Sequence, residues 1–298
     1  MENLTYLLYS LLWWTLRLLP ERSAYRLFES LASLAYRRNS KRVRRLRENF
    51  RTILNYRSGS ADTNELETLV RKGLSNSMRY WCDTFRISDW STQRAIDTTR
   101  VTGLEYLTNA YRKGNGVLVA IPHAGNWDHA GYFFSSAGMK VHTVAEHLKP
   151  DRLFEKFLAH REKMGMTVLD LDKGVMGDLA GFLTNGQLVA LVSDRDLSRS
   201  GIDVNFFGAT ARMPAGAAAL ASSTHATLLT AYVSYTHDGI HVTFDPPIDV
   251  DQSRERSEEI ARVTQVIADR FQGAILKDIS SWHMLQRIFI DENFRSRS

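Results

Sequence analysis

From about residue 101 onward, short apolar runs alternate with longer helix-like stretches, and this alternation limits what the chain can fold into. The runs read GVLVAIP, KVHTVAE, MTVLDL, QLVALVSD, LLTAYVSY and IHVTFDP. Strands separated by helices imply a parallel sheet, since parallel neighbours need a crossover between them. The last two runs flank His237, Asp238 and Gly239, a hairpin turn signal, so one edge is expected to be antiparallel. The expected fold class is α/β, with a largely parallel central sheet, an antiparallel edge and flanking helices. A last amphipathic helix is expected near Ser257 to Leu276, followed by the tail segment SSWHMLQRIF.

The first sixty residues have a different character. MENLTYLLYSLLWWTLRLLPERSAYRLF is apolar and aromatic, yet Arg17 and Pro20 cut it short of the roughly 20 uninterrupted apolar residues that a spanning helix needs. Glu2 stands where a signal peptide would be basic, and no small-residue cleavage site follows, so the segment is expected to be retained. Arg37 to Arg57 then hold nine Lys/Arg against one acid, Glu48, and the net charge of +5 describes this patch rather than the whole chain. An apolar aromatic helix followed by a polybasic one has the two parts of an interfacial anchor. Residues 1–60 are therefore expected to be membrane-associating helices, and residues 61–298 one continuous α/β domain. A core helix beside a solvated basic face is the plainer alternative. No nucleic-acid module accompanies the patch, so no nucleic-acid partner is expected.

Asp62 to Arg86 carries apolar residues at helical spacing behind an Asp62/Glu65 capping box. Cys82, the single cysteine, lies among aromatics in this helix. It reads as packing and, with no partner for a disulfide, points to a reducing compartment.

Chemistry concentrates in VLVAIPHAGNWDHAG, residues 117 to 131. Ligands of open parallel sheets gather at the carboxyl ends of strands, where helix N-termini also point, and His123 falls there. Gly125 relaxes the strand-to-helix turn, and a helix opening at Asn126 puts Asp128 one turn in, within expected reach of the imidazole. A carboxylate on one ring nitrogen fixes the tautomer and leaves the other as a base. His-x4-Asp is common by chance, and its value here comes from its position. No G-x-S-x-G elbow, phosphate-binding loop or H-E-x-x-H motif appears. A metal at His123, Asp128 and His129 is not expected, because His129 would point about 100° away from its neighbour on the helix. TVAEHLKP sets Glu146 and Lys149 beyond a second strand, and SDRDLSRSG sets Asp194, Arg195, Asp196 and Arg199 beyond another. Charges at successive strand ends are expected to converge on one crevice. In VNFFGATARMPAGAAALA, Arg212 and Pro214 precede a small-residue helix whose N-terminus could hold an anion or an acyl carbonyl oxygen.

These segments, with REKMGMTVL, ARMPAGAA and the closing WHMLQ, resemble in order the bacterial lipid A type acyltransferases, and within them the actinobacterial phosphatidylinositol mannoside acyltransferases, across about residues 70 to 290. The resemblance implies a peripheral enzyme on the cytoplasmic face of the cell membrane. It would move a long acyl chain, typically palmitoyl, from acyl-CoA as co-substrate to a mannose hydroxyl of a glycolipid acceptor, with no bound cofactor. Under it His123 and Asp128 match the H-x4-D pair, Glu146 the glutamate before L-K-P, and Arg161 the arginine after the donor-side helix. Asp194 stands where the resemblance implies glutamate, and the shorter side chain is expected to reach His123 only with a backbone shift. His123 would take the hydroxyl proton, with Asp128 or Asp194 stabilising the imidazolium. The oxygen would attack the thioester directly, consistent with the lack of a positioned Ser or Cys nucleophile. Arg161, Arg195, Arg199 and Arg212 are candidates to hold CoA or inositol phosphates. The alternatives are a lipid A type enzyme fed by acyl carrier protein and a membrane-surface protein that has lost its chemistry.

Overall fold

The computed structural model describes residues 2–290 except 148, 172–173 and 197–200. Four helices come first: α1 (Glu2–Leu18), α2 (Glu21–Arg38), α3 (Lys41–Ser58) and α4 (Thr63–Arg86). Pro20 separates α1 from α2, and left-handed residues, Asn39 at φ 45° and Gly59 at φ 76°, end α2 and α3. Asp62 opens α4 by accepting from the Glu65 amide at 2.8 Å, as the capping-box spacing predicts.

The alternating region follows as α5 (Thr92–Asp97), β1 (Thr99–Thr102), α6 (Leu104–Arg112), β2 (Val117–Ile121), α7 (Trp127–Ser136), β3 (Val141–Ala145), α8 (Asp151–Glu162), β4 (Thr167–Asp170), α9 (Val175–Thr184) and β5 (Leu188–Val192). Then come β6 (Ile202–Phe206), β7 (Ala209–Met213), α10 (Gly216–Thr224), β8 (Thr227–Tyr235), β9 (Ile240–Phe244) and α11 (Arg256–Lys277). The six predicted runs are β2, β3, β4, β5, β8 and β9. β1 and the β6–β7 hairpin lie outside them, because β1 is a four-residue TRVT with alternate side chains exposed and the hairpin forms a sheet of its own.

The sheet order is β1-β9-β8-β2-β5-β3-β4. β8, β2, β5, β3 and β4 run parallel; β9 is antiparallel to β8, and β1 is parallel to β9. The antiparallel edge is thus two strands wide. Along β2, Val117 and Val119 join one apolar cluster with α6 and α7, while Leu118 and Ala120 join another with α3, α9, α10 and α11. This period of two on a strand buried on both sides makes the core three layers deep.

A third apolar cluster holds the N-terminal helices on the rest. Trp13 and Leu16 of α1 and Phe28 of α2 meet Cys82 and Phe85 of α4 and Phe157 of α8. The Trp13 indole donates to the Phe85 carbonyl at 2.9 Å. Burial pushes the Cys82 thiol up to about 12, in keeping with packing. Among the described residues no helix is long and apolar enough to cross a membrane.

Between α2 and α4 lies Asp83, 2% exposed, which accepts from the Tyr25 hydroxyl at 2.5 Å and from Asn126 Nδ2 at 3.3 Å. Burial pushes its carboxyl up to about 6, against the opposing hydrogen bond from Tyr25 and the Arg79 charge. A folded-state value above the unfolded one means that the native state keeps its proton longer as pH rises. The Asp83 contribution to stability should therefore fall between about pH 4 and pH 6 and stay lower above that, by on the order of 2–3 kcal/mol. The stability of wild type minus that of Asp83→Asn, followed by denaturant unfolding so that the buried histidines cancel, should drop by that amount across this range; a difference that stays constant with pH would dismiss the assignment.

Candidate active site

The carboxyl ends of β2 and β5 are neighbours, with Ile121 paired to Val192 and the Ser193 amide donating to the Ile121 carbonyl at 2.8 Å. Pairing thus continues one residue past the strands, and the next side chains out are His123 and Asp194. From here the two chain paths part, β2 leading to α7 on one face and β5 towards α10 on the other. Such a divergence opens a crevice at the strand ends.

His123 Nδ1 lies 2.5 Å from Asp194 Oδ1, and the His123 amide donates to Asp194 Oδ2 at 2.9 Å. The carboxylate is 0% exposed. Burial alone would raise its pKa, but the His123 charge and the hydrogen bonds from His123 and Trp282 outweigh that and hold it below the ordinary carboxylate value. An ionised acceptor at Nδ1 makes Nδ1 the protonated nitrogen and leaves Nε2 as the basic one. Nε2 forms no hydrogen bond among the described residues, and the side chain is 27% exposed. The Trp127 ring meets the imidazole edge-on at 5.6 Å. One ring nitrogen is thus held by a buried carboxylate while the other has no partner among the described residues, an arrangement chemically able to accept a proton.

Two expectations concern the partner of His123, and the second is corrected. Asp194 does reach His123, because continued pairing through Ser193 sets its backbone close to the turn, and both carboxylate oxygens are used, one on the ring and one on the amide. Asp128 is not the histidine's partner. It is 3% exposed and accepts from Arg161 Nε at 2.8 Å, Arg161 Nη2 at 3.2 Å and the Tyr80 hydroxyl at 3.0 Å. One turn into α7 its side chain faces α4 and α8 instead of the imidazole. Burial alone would lower the Arg161 pKa, but the Asp128 charge, Tyr80 and the hydrogen bonds to both together hold the guanidinium above its ordinary value.

Glu146, beyond β3, lies 3.4 Å from Arg195 Nη2, so these charges at separate strand ends do converge. Arg195 also donates to Gln286 Oε1. Arg212 instead bonds Asp203 across the β6–β7 pair at 2.7 Å, and Gly216 at the start of α10 lies beside Met176. Arg199 lies outside the described residues. His129 points away from the crevice towards Thr98 and Thr99, with its pKa lowered to about 4 by burial.

What single-sequence reading misses is the closing segment. The Trp282 indole donates to Asp194 Oδ2 at 2.8 Å, Ala124 and Trp282 form an antiparallel bridge, and the Gly125 amide donates to the Ser281 carbonyl at 2.9 Å. His283 Nε2 donates to the Gly125 carbonyl at 3.0 Å. Gly125 itself is at φ +58°, where an added Cβ would lie 2.4 Å from the Val233 carbonyl oxygen, so the turn admits only glycine. Beneath the turn an apolar cavity, about 710 Å³ with its open mouth, runs along the sheet under α7. Trp127, Asp128 and Arg161 stand among its lining with Ile121 and Val192 from the strand ends, and Leu188 and Phe134 lie farther in.

The profile of the bacterial lipid A biosynthesis acyltransferases matches residues 1–290. The chain belongs to that family. Relatives named phosphatidylinositol mannoside acyltransferase come from Mycolicibacterium smegmatis, 34% identical over 277 residues (92% of this chain, 88% of the relative), and from Mycobacterium tuberculosis H37Rv, 33% identical over 291 residues (96% and 88%). The protein is thus an acyltransferase.

In this acyltransferase the Asp128–Arg161 pair is a brace between α7 and α8. Asp128→Ala leaves a buried guanidinium unmatched and should cost about 3–5 kcal/mol in denaturant unfolding. Replacing both residues with leucine should recover part of that loss; a single variant as stable as wild type would exclude the brace.

Proposed function

We propose that this acyltransferase moves a long-chain acyl group, palmitoyl, from acyl-CoA to a mannose hydroxyl of a phosphatidylinositol mannoside, with His123 as general base. The observation that carries the chemistry is the buried Asp194 carboxylate on Nδ1 of a partly exposed His123 whose Nε2 has no partner among the described residues. Nε2 takes the proton of the acceptor hydroxyl while that oxygen attacks the thioester carbon. The imidazolium is stabilised by Asp194, the C–S bond breaks, and the CoA thiolate leaves and takes up a proton. A thiolate leaves readily, so no covalent acyl-enzyme is needed.

The apolar cavity beside the base suits an acyl chain, since its polar lining residues are few and include the Asp128–Arg161 pair. Arg195, which meets Glu146, is the described arginine at the converging strand ends suited to a donor or acceptor phosphate, and Arg212 could serve only by leaving Asp203. The acceptor assignment is supported by the activity for which the mycobacterial relatives are named.

The same reading puts the enzyme on the cytoplasmic face of the membrane. Leu7, Leu8, Leu11, Trp14 and Leu18 of α1 are exposed while Trp13 and Leu16 are buried, and α2 adds exposed Leu27, Leu31 and Leu34. An apolar helix face beside the basic α3 supports docking on anionic lipid.

The test is thiol release from palmitoyl-CoA with and without phosphatidylinositol mannoside, for wild type and His123→Ala. Acceptor-dependent release that falls roughly 10²–10⁴-fold in the variant is expected. Release indifferent to acceptor, or undiminished in His123→Ala, would overturn the reading, and preference for an acylated carrier protein would reassign the donor.

A further inference from the structure

Trp282 is 0% exposed, and its ring packs on Phe206 and Phe207, which alone would make it an ordinary core residue. Packing does not require its one polar atom to end 2.8 Å from the buried carboxylate that holds the histidine. Asp194 Oδ2 receives two donors, the His123 amide and the Trp282 indole, and Oδ1 is left for Nδ1. The indole is itself held in place. Asn76 of α4 donates to the Ser280 carbonyl at 2.8 Å, and Asn49 of α3 donates to the carbonyls of Met284 and Gln286, both at 2.9 Å. The Ala124 bridge ties the same segment to the turn that carries His123. One stretch of chain therefore touches both halves of the His123–Asp194 pair.

We propose that Trp282 is a positioning residue, whose indole N–H fixes the Asp194 carboxylate so that its other oxygen meets His123 Nδ1 and Nε2 stays aimed at the crevice. This rests on the reading of His123 as the base. A loop residue can set such a geometry only if its own surroundings are rigid, and the asparagine bonds from α3 and α4 supply that rigidity. Asp194 reaches across with a single methylene, so it stays against the backbone of the turn, where the indole can meet it.

The N–H can be removed at nearly constant shape by replacing Trp282 with β-(3-benzothienyl)alanine in the full chain. The expected result is a kcat lower by about tenfold or more, as for loss of a hydrogen bond to a charged group, with KM for palmitoyl-CoA unchanged. With one donor fewer, the carboxylate holds the proton on the imidazole more tightly, so the acid limb of kcat/KM should move to higher pH. The Nδ1 proton resonance of His123, followed by NMR on histidine-labelled protein, should shift as well. Trp282→Phe should change kcat in the same direction with an added loss of thermal stability from the cavity it leaves. A benzothienyl variant with wild-type kcat, pH profile and Nδ1 resonance would overturn the proposal. Full activity in His123→Ala, run alongside, would instead overturn the assignment of the base, and the Nδ1 resonance would still decide whether Trp282 governs the pair.

Discussion

A carboxylate with none of its side chain exposed has to be compensated on every side, and the architecture around Asp194 is arranged to do so. Moving such an ion out of water costs several kcal/mol unless charge and hydrogen bonds replace the solvent. The replacements are three groups from two distant parts of the chain: the His123 ring, the His123 amide and the Trp282 indole. None of them can be satisfied alone. The ring needs the β2 turn, the amide needs the turn to stay paired with β5, and the indole needs the closing segment locked against α3 and α4. The cost of burying one charge thus ties the sheet, the helical layer and the C-terminal segment to a single geometry.

The second buried charge pair plays a different part. Asp128 and Arg161 sit beneath the crevice, joined by Tyr80, and link α7, α8 and α4. Arg161 follows directly on His160, whose ring meets Trp13 of α1 at 4.9 Å, so the N-terminal helix packs one residue from the brace. The buried face of α1 thus packs against both α4 and α8, the two helices that hold Asp128.

How far the sequence could be read follows from the range of the interactions. The strands β2, β3, β4, β5, β8 and β9 were legible because apolar runs are a local property, and so were the Asp62 cap and the Gly125 turn. His123 was legible as a strand-end residue, and the meeting of Glu146 with Arg195 was legible as convergence of strand ends. The partner of His123 was not. A spacing of four puts Asp128 near the histidine along the chain but leaves open which neighbouring helix its side chain will face, and Arg161 and Tyr80 decide that from 33 and 48 residues away. β1 was hidden because four residues with alternate exposure make no apolar run.

Asp194 shows the same limit from the other side. Side-chain length alone suggested that an aspartate would fall short of the imidazole. Length is a poor guide when the backbone can move the starting point, and here the Ser193–Ile121 bond extends the parallel ladder past the strand ends. The aspartate then begins so close to His123 that it bonds the amide and the ring at once. A longer side chain would have to fold back to make both contacts and would lose more rotamer freedom on burial. In this chain a short carboxylate, a ladder extended by one residue and an indole behind it form one solution, and each part makes sense only with the other two.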